Sequence, residues 1–142
     1  MSDHDAVWAE TTHGGLLRQL FGYYPTFHDA RLREIVVEAA TRNVEMVVDY
    51  SDRVEDQDTD KELAVRIRLK WEDVEEMNLD CGESYLMGFE ITHFQGKMKG
   101  TFELGFGTYG TIISRGFEAI LEKVDPPEFD SDHPDRIALR FR

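Results

Sequence analysis

The side chains with the most evident chemical reach lie in FGYYPTFHDARL, Phe21 to Leu32, where four aromatics and a proline surround the pair His28-Asp29. A histidine acting as a base needs a nucleophile or substrate proton within hydrogen-bond reach and a separate group to orient its ring. Adjacent residues on an extended chain point to opposite faces, so His28 and Asp29 are expected to be poor partners for each other. The residue types fit an architectural reading. Pro25 fixes the entry, Phe27 buries its ring, and His28 or Asp29 bonds loop amides, so that the pair seats a helix against a sheet. The chemical alternative is a small hydrolase or metal-dependent site that joins His93 to His28 and Asp29. The five histidines, His4, His13, His28, His93 and His133, show no HxH or HExxH spacing, and no metal site is legible.

Other stretches imitate functional motifs and fall short of them. Asp56, Asp58 and Asp60 in DQDTDKE open like a calcium loop, but Lys61 and Ile67 stand where such a loop wants Gly and Glu. Gly105, Gly107 and Gly110 in GFGTYG lack the following helix and the Gly-Lys-Ser/Thr of a phosphate cradle, and read as a turn. Cys81 stands alone beside Glu83 with no cation to lower its pKa, so no thiolate nucleophile and no internal disulfide is expected. No cofactor is implied.

Charge says more. The net charge is −13, from 29 Asp and Glu against 16 Lys and Arg. Such a surface repels phosphate backbones, which argues against nucleic acid as a ligand; it suits a basic protein partner, and equally an acidity that serves solubility alone. Within the acidic loop, Asp52, Glu55, Asp56, Asp58 and Asp60 are the candidate binding residues. No apolar run reaches the roughly 18 residues of a membrane span, and MSDHDAVWAE lacks a signal-peptide pattern, so a cytoplasmic protein without a membrane partner is expected.

These residues need a scaffold. The 142 residues suit one domain, residues 1–142, and 41% hydrophobic content supplies its core. Leu16, Leu17, Leu20 and Phe21 recur at helical spacing, which predicts one amphipathic helix within Ala6 to Phe21 that stops at Gly22. Beyond Pro25 the β-branched runs around Ile35 to Val37 and Val44 to Val48 predict a hairpin turning at Ala39 to Asn43, with Asn43 at positive φ. Leu63, Val65, Ile67, Leu69 and Trp71 alternate with Ala64, Arg66, Arg68 and Lys70, a strand with one dry face and one basic, solvated face. Further strands follow around Phe89 to His93, Phe102 to Phe106 and Ile112 to Val124, with a bulge expected at Gly116 and an edge strand at Ile137 to Phe141. The sum is an α+β fold: one curved antiparallel sheet of six or more strands with an N-terminal helix packed on one face.

The run LFGYYPTFHDARL, Leu20 to Leu32, resembles the signature of the immunity protein 50 family, predicted immunity proteins of bacterial polymorphic toxin systems. Phe21, Gly22, Pro25, Phe27, His28 and Asp29 occupy the motif positions, while Tyr24 and Thr26 stand where Trp and Ser are expected. The order of LDC, GFEIT and FELGFGTYGTIISRGFEAI extends the likeness from about Leu16 to Val124. The resemblance implies an α+β fold, no catalysis, and neutralisation of a cognate toxin by binding. It carries over no inhibitory residue set. A third expectation is a structural module that pairs with its own copy, as a homodimer, through the edge strand.

Overall fold

The alternation at Leu63 to Trp71 sets the frame of the molecule, because it commits one face of a long strand to the interior. In the computed structural model, which describes residues 2–11, 13–53, 62–79, 85–104, 109–124 and 137–142, this strand runs Glu62–Asn78. In chain order the elements are α1 (Asp3–Glu10), α2 (Gly14–Phe21), β1 (Ala30–Glu38), β2 (Asn43–Arg53), β3 (Glu62–Asn78), β4 (Tyr85–Phe94), β5 (Lys97–Leu104), β6 (Tyr109–Val124) and β7 (Ala138–Phe141).

The strands form one seven-stranded sheet in the order β2-β3-β6-β5-β4-β1-β7, and β1 also pairs with β2. The sheet therefore curls until its ends approach. Among the described residues two pairs, Ala30 with Leu86 and Arg31 with Tyr85, join β1 to β4, and the sheet is not a closed barrel. All pairings are antiparallel except β1–β7, which is parallel and corrects the expectation of a wholly antiparallel sheet. The β4–β5 hairpin turns at Gln95 (φ 50°) and Gly96 (φ 76°), two successive left-handed residues that match the twist of the strands they join.

Val65, Ile67, Leu69 and Trp71 are fully buried in the concave interior, with Phe89, Ile91, Phe102 and Ile112 facing them. Gly100 on β5 makes room for the Trp71 indole; a Cβ there would lie 2.2 Å from its ring. The other face of β3 is not simply solvated. Arg66 is buried and bonds Asp49 through Nε at 2.8 Å and Nη2 at 3.2 Å, while Arg33 Nη1 reaches the same carboxylate at 3.0 Å. β2–β3 register sets Asp49 directly opposite Arg66, so a pairing between strands overrides the local alternation.

Two helices replace the single one expected. Ser2 caps α1 by accepting from the Asp5 N–H, and His13 in the left-handed region (φ 64°) breaks the run before α2. Gly14 lets α2 begin against α1, since a Cβ there would meet the Trp8 carbonyl oxygen at 2.4 Å. Gly22 (φ 84°) ends α2 as its type predicts, its N–H donating to the Arg18 carbonyl. Leu17 and Phe21 of α2 and Val7 and Trp8 of α1 belong to the same buried cluster as the sheet interior, and the Trp8 ring meets Phe89 and Phe117 edge-on.

Smaller expectations shift. Arg42 (φ 58°), not Asn43, takes the positive φ of the first hairpin, and the Asn43 side chain accepts from the Asp73 N–H instead. The register of β6 against β3 is regular through Gly116; its irregularities fall at Arg66/Ile67 and Val74/Glu76. Gly116 serves a close approach, because a Cβ there would sit 3.1 Å from that of Glu72.

Candidate functional site

Buried positions of β2 run from dry to wet toward one mouth of the curled sheet: Val44, Met46 and Val48 are buried, Tyr50 is 6% exposed, and Asp52 is partly exposed. Two residues beyond the apolar series, the same face thus ends in a phenol and a carboxylate. In β1–β2 register Arg31 pairs with Asp49, so the residues just before β1, His28 and Asp29, lie toward this same end. Here the aromatic motif and the root of the acidic loop meet.

Contact between them is a hydrogen-bonded chain. The Tyr23 hydroxyl donates to Asp52 Oδ2, and the hydroxyls of Tyr23 and Tyr50 lie 2.7 Å apart. With the Tyr23 proton committed to Asp52, Tyr50 donates to Tyr23. Burial, reinforced by the Asp52 hydrogen bond, raises the pKa of Tyr23 above the usual phenol range, and burial also raises Tyr50. Both phenols stay protonated at neutral pH. Protonated, each phenol is a hydrogen-bond donor.

Phe27 anchors this edge. Its ring is fully buried and meets Trp8 at 6.1 Å, Tyr50 at 5.4 Å and Phe89 at 5.7 Å between centroids. Phe21 is also in the core and touches Tyr50, and Pro25 is buried. Phe21, Pro25 and Phe27 are interior, and the pair beside them is at the surface. The His28 and Asp29 side chains are 64% and 59% exposed. They also meet, His28 Nδ1 to Asp29 Oδ2 at 3.1 Å, contrary to the expectation that they face apart. The reason is backbone: Phe27 (φ 55°) and Asp29 (φ 65°) are left-handed, and a turn does not alternate its side chains as a strand does.

His93 does not join them. Its Nδ1 lies 2.6 Å from Asp3 Oδ1 and its Nε2 3.0 Å from Glu10 Oε2, so both ring nitrogens are committed to α1. Those hydrogen bonds raise the His93 pKa, Asp3 first and Glu10 second. The neighbouring backbone follows the same plan: the N–H groups of Ile91 and His93 donate to His4 Nδ1 and Asp3 Oδ2. Side chains of α1 thereby cover an edge of β4 that β1 leaves unpaired beyond its two-residue bridge. Among the described residues no three His, Cys, Asp or Glu side chains converge in a way that could hold a metal ion.

Of the acidic loop set, Asp52 is placed by the structure; Glu55, Asp56, Asp58 and Asp60 lie outside the described residues, as do Cys81 and His133. Tyr23 also borders a surface cavity. A cavity of about 300 Å³ joins Tyr23 to Tyr24, Arg18 and Asp5, and a larger one shares Tyr24 and Asp5 and reaches Glu90, Glu103 and Tyr109. Tyr50, Asp5, Glu90 and Glu103 were not legible as site residues from spacing. The one available signal was at β2, where the alternating apolar series ends in Tyr50 and Asp52, the pattern of a strand leaving its core.

Comparison with known proteins matches no family model, no curated protein and no solved structure. No helix among the described residues is long and apolar enough to cross a membrane.

Proposed function

We propose that the protein is a non-catalytic, immunity-type protein that binds and neutralises a cognate basic toxin through the tyrosine and carboxylate surface running from Asp52 past Tyr23 to Glu103. The observation that carries this reading is the join between Tyr23 and Asp52, which fixes a phenol of the FHDA-type motif onto the root of the acidic loop. Tyrosines of few rotatable bonds beside carboxylates suit a docking surface for Arg and Lys, and the −13 net charge steers a basic partner toward it. The resemblance of Leu20 to Leu32 to the immunity protein 50 signature supports the same reading, and we place its action in the cytoplasm as part of the proposal. Co-expression with the toxin encoded beside its gene is the test. Relief of killing and a co-purifying complex are expected; unrelieved killing with no complex at low salt would overturn the proposal.

One observation favours the enzymatic alternative, the exposed His28–Asp29 contact at 3.1 Å. A His28→Ala protein that keeps its fold and loses a measured hydrolytic turnover would establish it. Homodimer formation has its own support in β7, whose four residues are exposed, with Phe141 at 73%. Light scattering over a dilution series reads that directly, and a strictly monomeric protein removes it.

A further inference from the structure

β7 ends the sheet, and among the described residues no strand pairs with its far side. The backbone shows what that side presents. Arg142 bonds β1 in both directions, its N–H donating to the Val37 carbonyl at 2.8 Å and its own carbonyl accepting from the Ala39 N–H at 3.2 Å. Backbone groups of successive strand residues point to opposite edges, so Arg140 also faces β1, while the N–H and carbonyl groups of Leu139 and Phe141 face outward. Their side chains are uncovered as well. Leu139 and Phe141 pair with Ile35 and Val37 in the sheet, yet are 46% and 73% exposed. An open backbone edge beside bare apolar side chains is the combination that strand addition uses.

The pattern of this edge reads the same from both ends. Ile137, Leu139 and Phe141 stand symmetrically about Leu139, with Ala138 and Arg140 between them. In an antiparallel pair the outward-facing residues must oppose one another, which leaves two compact registers for two copies of the strand. Leu139 opposite its own counterpart sets Ile137 against Phe141 and Ala138 against Arg140, with about six backbone hydrogen bonds. Leu139 opposite Phe141 gives about four and brings the two Arg140 side chains face to face. The first register is better on both counts. Arg140 is also already matched, its Nε lying 3.0 Å from Glu34 Oε1, so it leaves no unmet charge to select an acidic strand. An apolar, self-complementary edge suits its own copy.

We propose that two copies of the chain join through β7 as antiparallel strands, Leu139 opposite Leu139, so that each seven-stranded sheet continues into the other. The proposal rests on the homodimer reading and holds with or without a toxin. One strand pair is small beside the roughly 1,200–2,000 Å² of stable interfaces, so the dimer dissociates readily. Each copy carries a net charge of −13. Added salt screens that repulsion and strengthens the dimer, the opposite of its effect on docking a basic toxin.

The test is sedimentation velocity of the full chain from about 10 µM to about 1 mM, at low and high salt. A monomer–dimer equilibrium that tightens as salt rises is expected. Leu139→Pro removes an outward N–H and keeps the bonds to β1, as proline at a strand edge allows, so it should weaken the dimer about tenfold or more at an unchanged monomer thermal midpoint. Cysteine cross-linking in a Cys81→Ser background reads the register without a proline. Under mild oxidation Leu139→Cys should give a disulfide-linked dimer, because directly opposed Cα atoms lie about 5.5 Å apart, whereas Phe141→Cys should not, its two copies lying more than about 13 Å apart. A monomer at every concentration would overturn the homodimer reading and the proposal together. A dimer indifferent to Leu139→Pro, weakened by salt, or cross-linked as well through Phe141→Cys as through Leu139→Cys would overturn the β7 pairing alone and leave a homodimer through another face.

Discussion

Truncating Phe27 tests which part of the FHD motif is architecture. The ring is fully buried and packs against Trp8, Tyr50 and Phe89 at once, so Phe27→Ala deletes the piece that ties α1, β2 and β4 together. A buried Phe→Ala substitution costs about 3–5 kcal/mol. With an unfolding entropy near 2.1 cal/mol/K per residue, 142 residues give about 0.3 kcal/mol/K, so the thermal midpoint should fall by about 10–17 °C. His28→Ala, at a side chain 64% exposed, should stay within about 0.5 kcal/mol of the parent. The backbone offers an internal control. Because Phe27 sits at φ 55°, Phe27→Gly should be no less stable than Phe27→Ala, the reverse of the order at an ordinary strand position. Urea and thermal denaturation followed by circular dichroism measure all three. Loss at His28 equal to that at Phe27, or a Phe27→Ala cost under about 1 kcal/mol, would refute the division of roles drawn from burial.

Asp49→Asn leaves Arg33 and Arg66 without the carboxylate they share and should destabilise by about 3–5 kcal/mol in urea, far more than the neutralisation of an exposed acid. Gly100→Ala forces the Trp71 indole to shift in a filled core and should cost about 1–3 kcal/mol, with a changed tryptophan emission as the second readout. The attachment of α1 to β4 should depend on pH in a bell shape. His93, its pKa raised by Asp3 and Glu10, contributes fully below its unfolded pKa and loses that contribution as pH rises through its raised folded value. Asp3, lowered by His93, contributes above its unfolded pKa and loses that as pH falls through its depressed folded value. Amide exchange at Ile91 and His93, corrected for intrinsic rates, should therefore be slowest between the two folded values, and His93→Ala should remove the alkaline limb.

What was legible in the chain was local. Alternation at Leu63 to Trp71 located the interior face of β3, and the glycine after Phe21 located the end of α2, because strand faces and helix stops are set by neighbouring residues. What was illegible depended on partners far along the chain. Arg66 lies on the face that alternation assigns to solvent, and only the register with β2 brings Asp49 across to bury it. His93 shares parity with Phe89 and Ile91 yet stands outside the core, because Asp3 and Glu10, more than eighty positions earlier, hold its ring on the surface. The break between α1 and α2 hinged on the left-handed residue His13, an uncommon choice that apolar spacing does not reveal. The site followed the same rule. Asp52 was singled out by its charge, but its meeting with Tyr23 and Tyr50, and the gathering of Asp5, Glu90 and Glu103 around one cavity, are products of the curl of the sheet.

The central claim, docking through the surface around Asp52, is tested most directly by titrating the purified protein with the toxin encoded beside its gene, by calorimetry across a salt series. A tight complex at low salt is predicted, weakening steadily as salt rises, and about tenfold or more weaker for Tyr23→Ala/Asp52→Asn at every salt concentration. Absence of a complex at low salt, or an affinity indifferent to both salt and the double substitution, would contradict it.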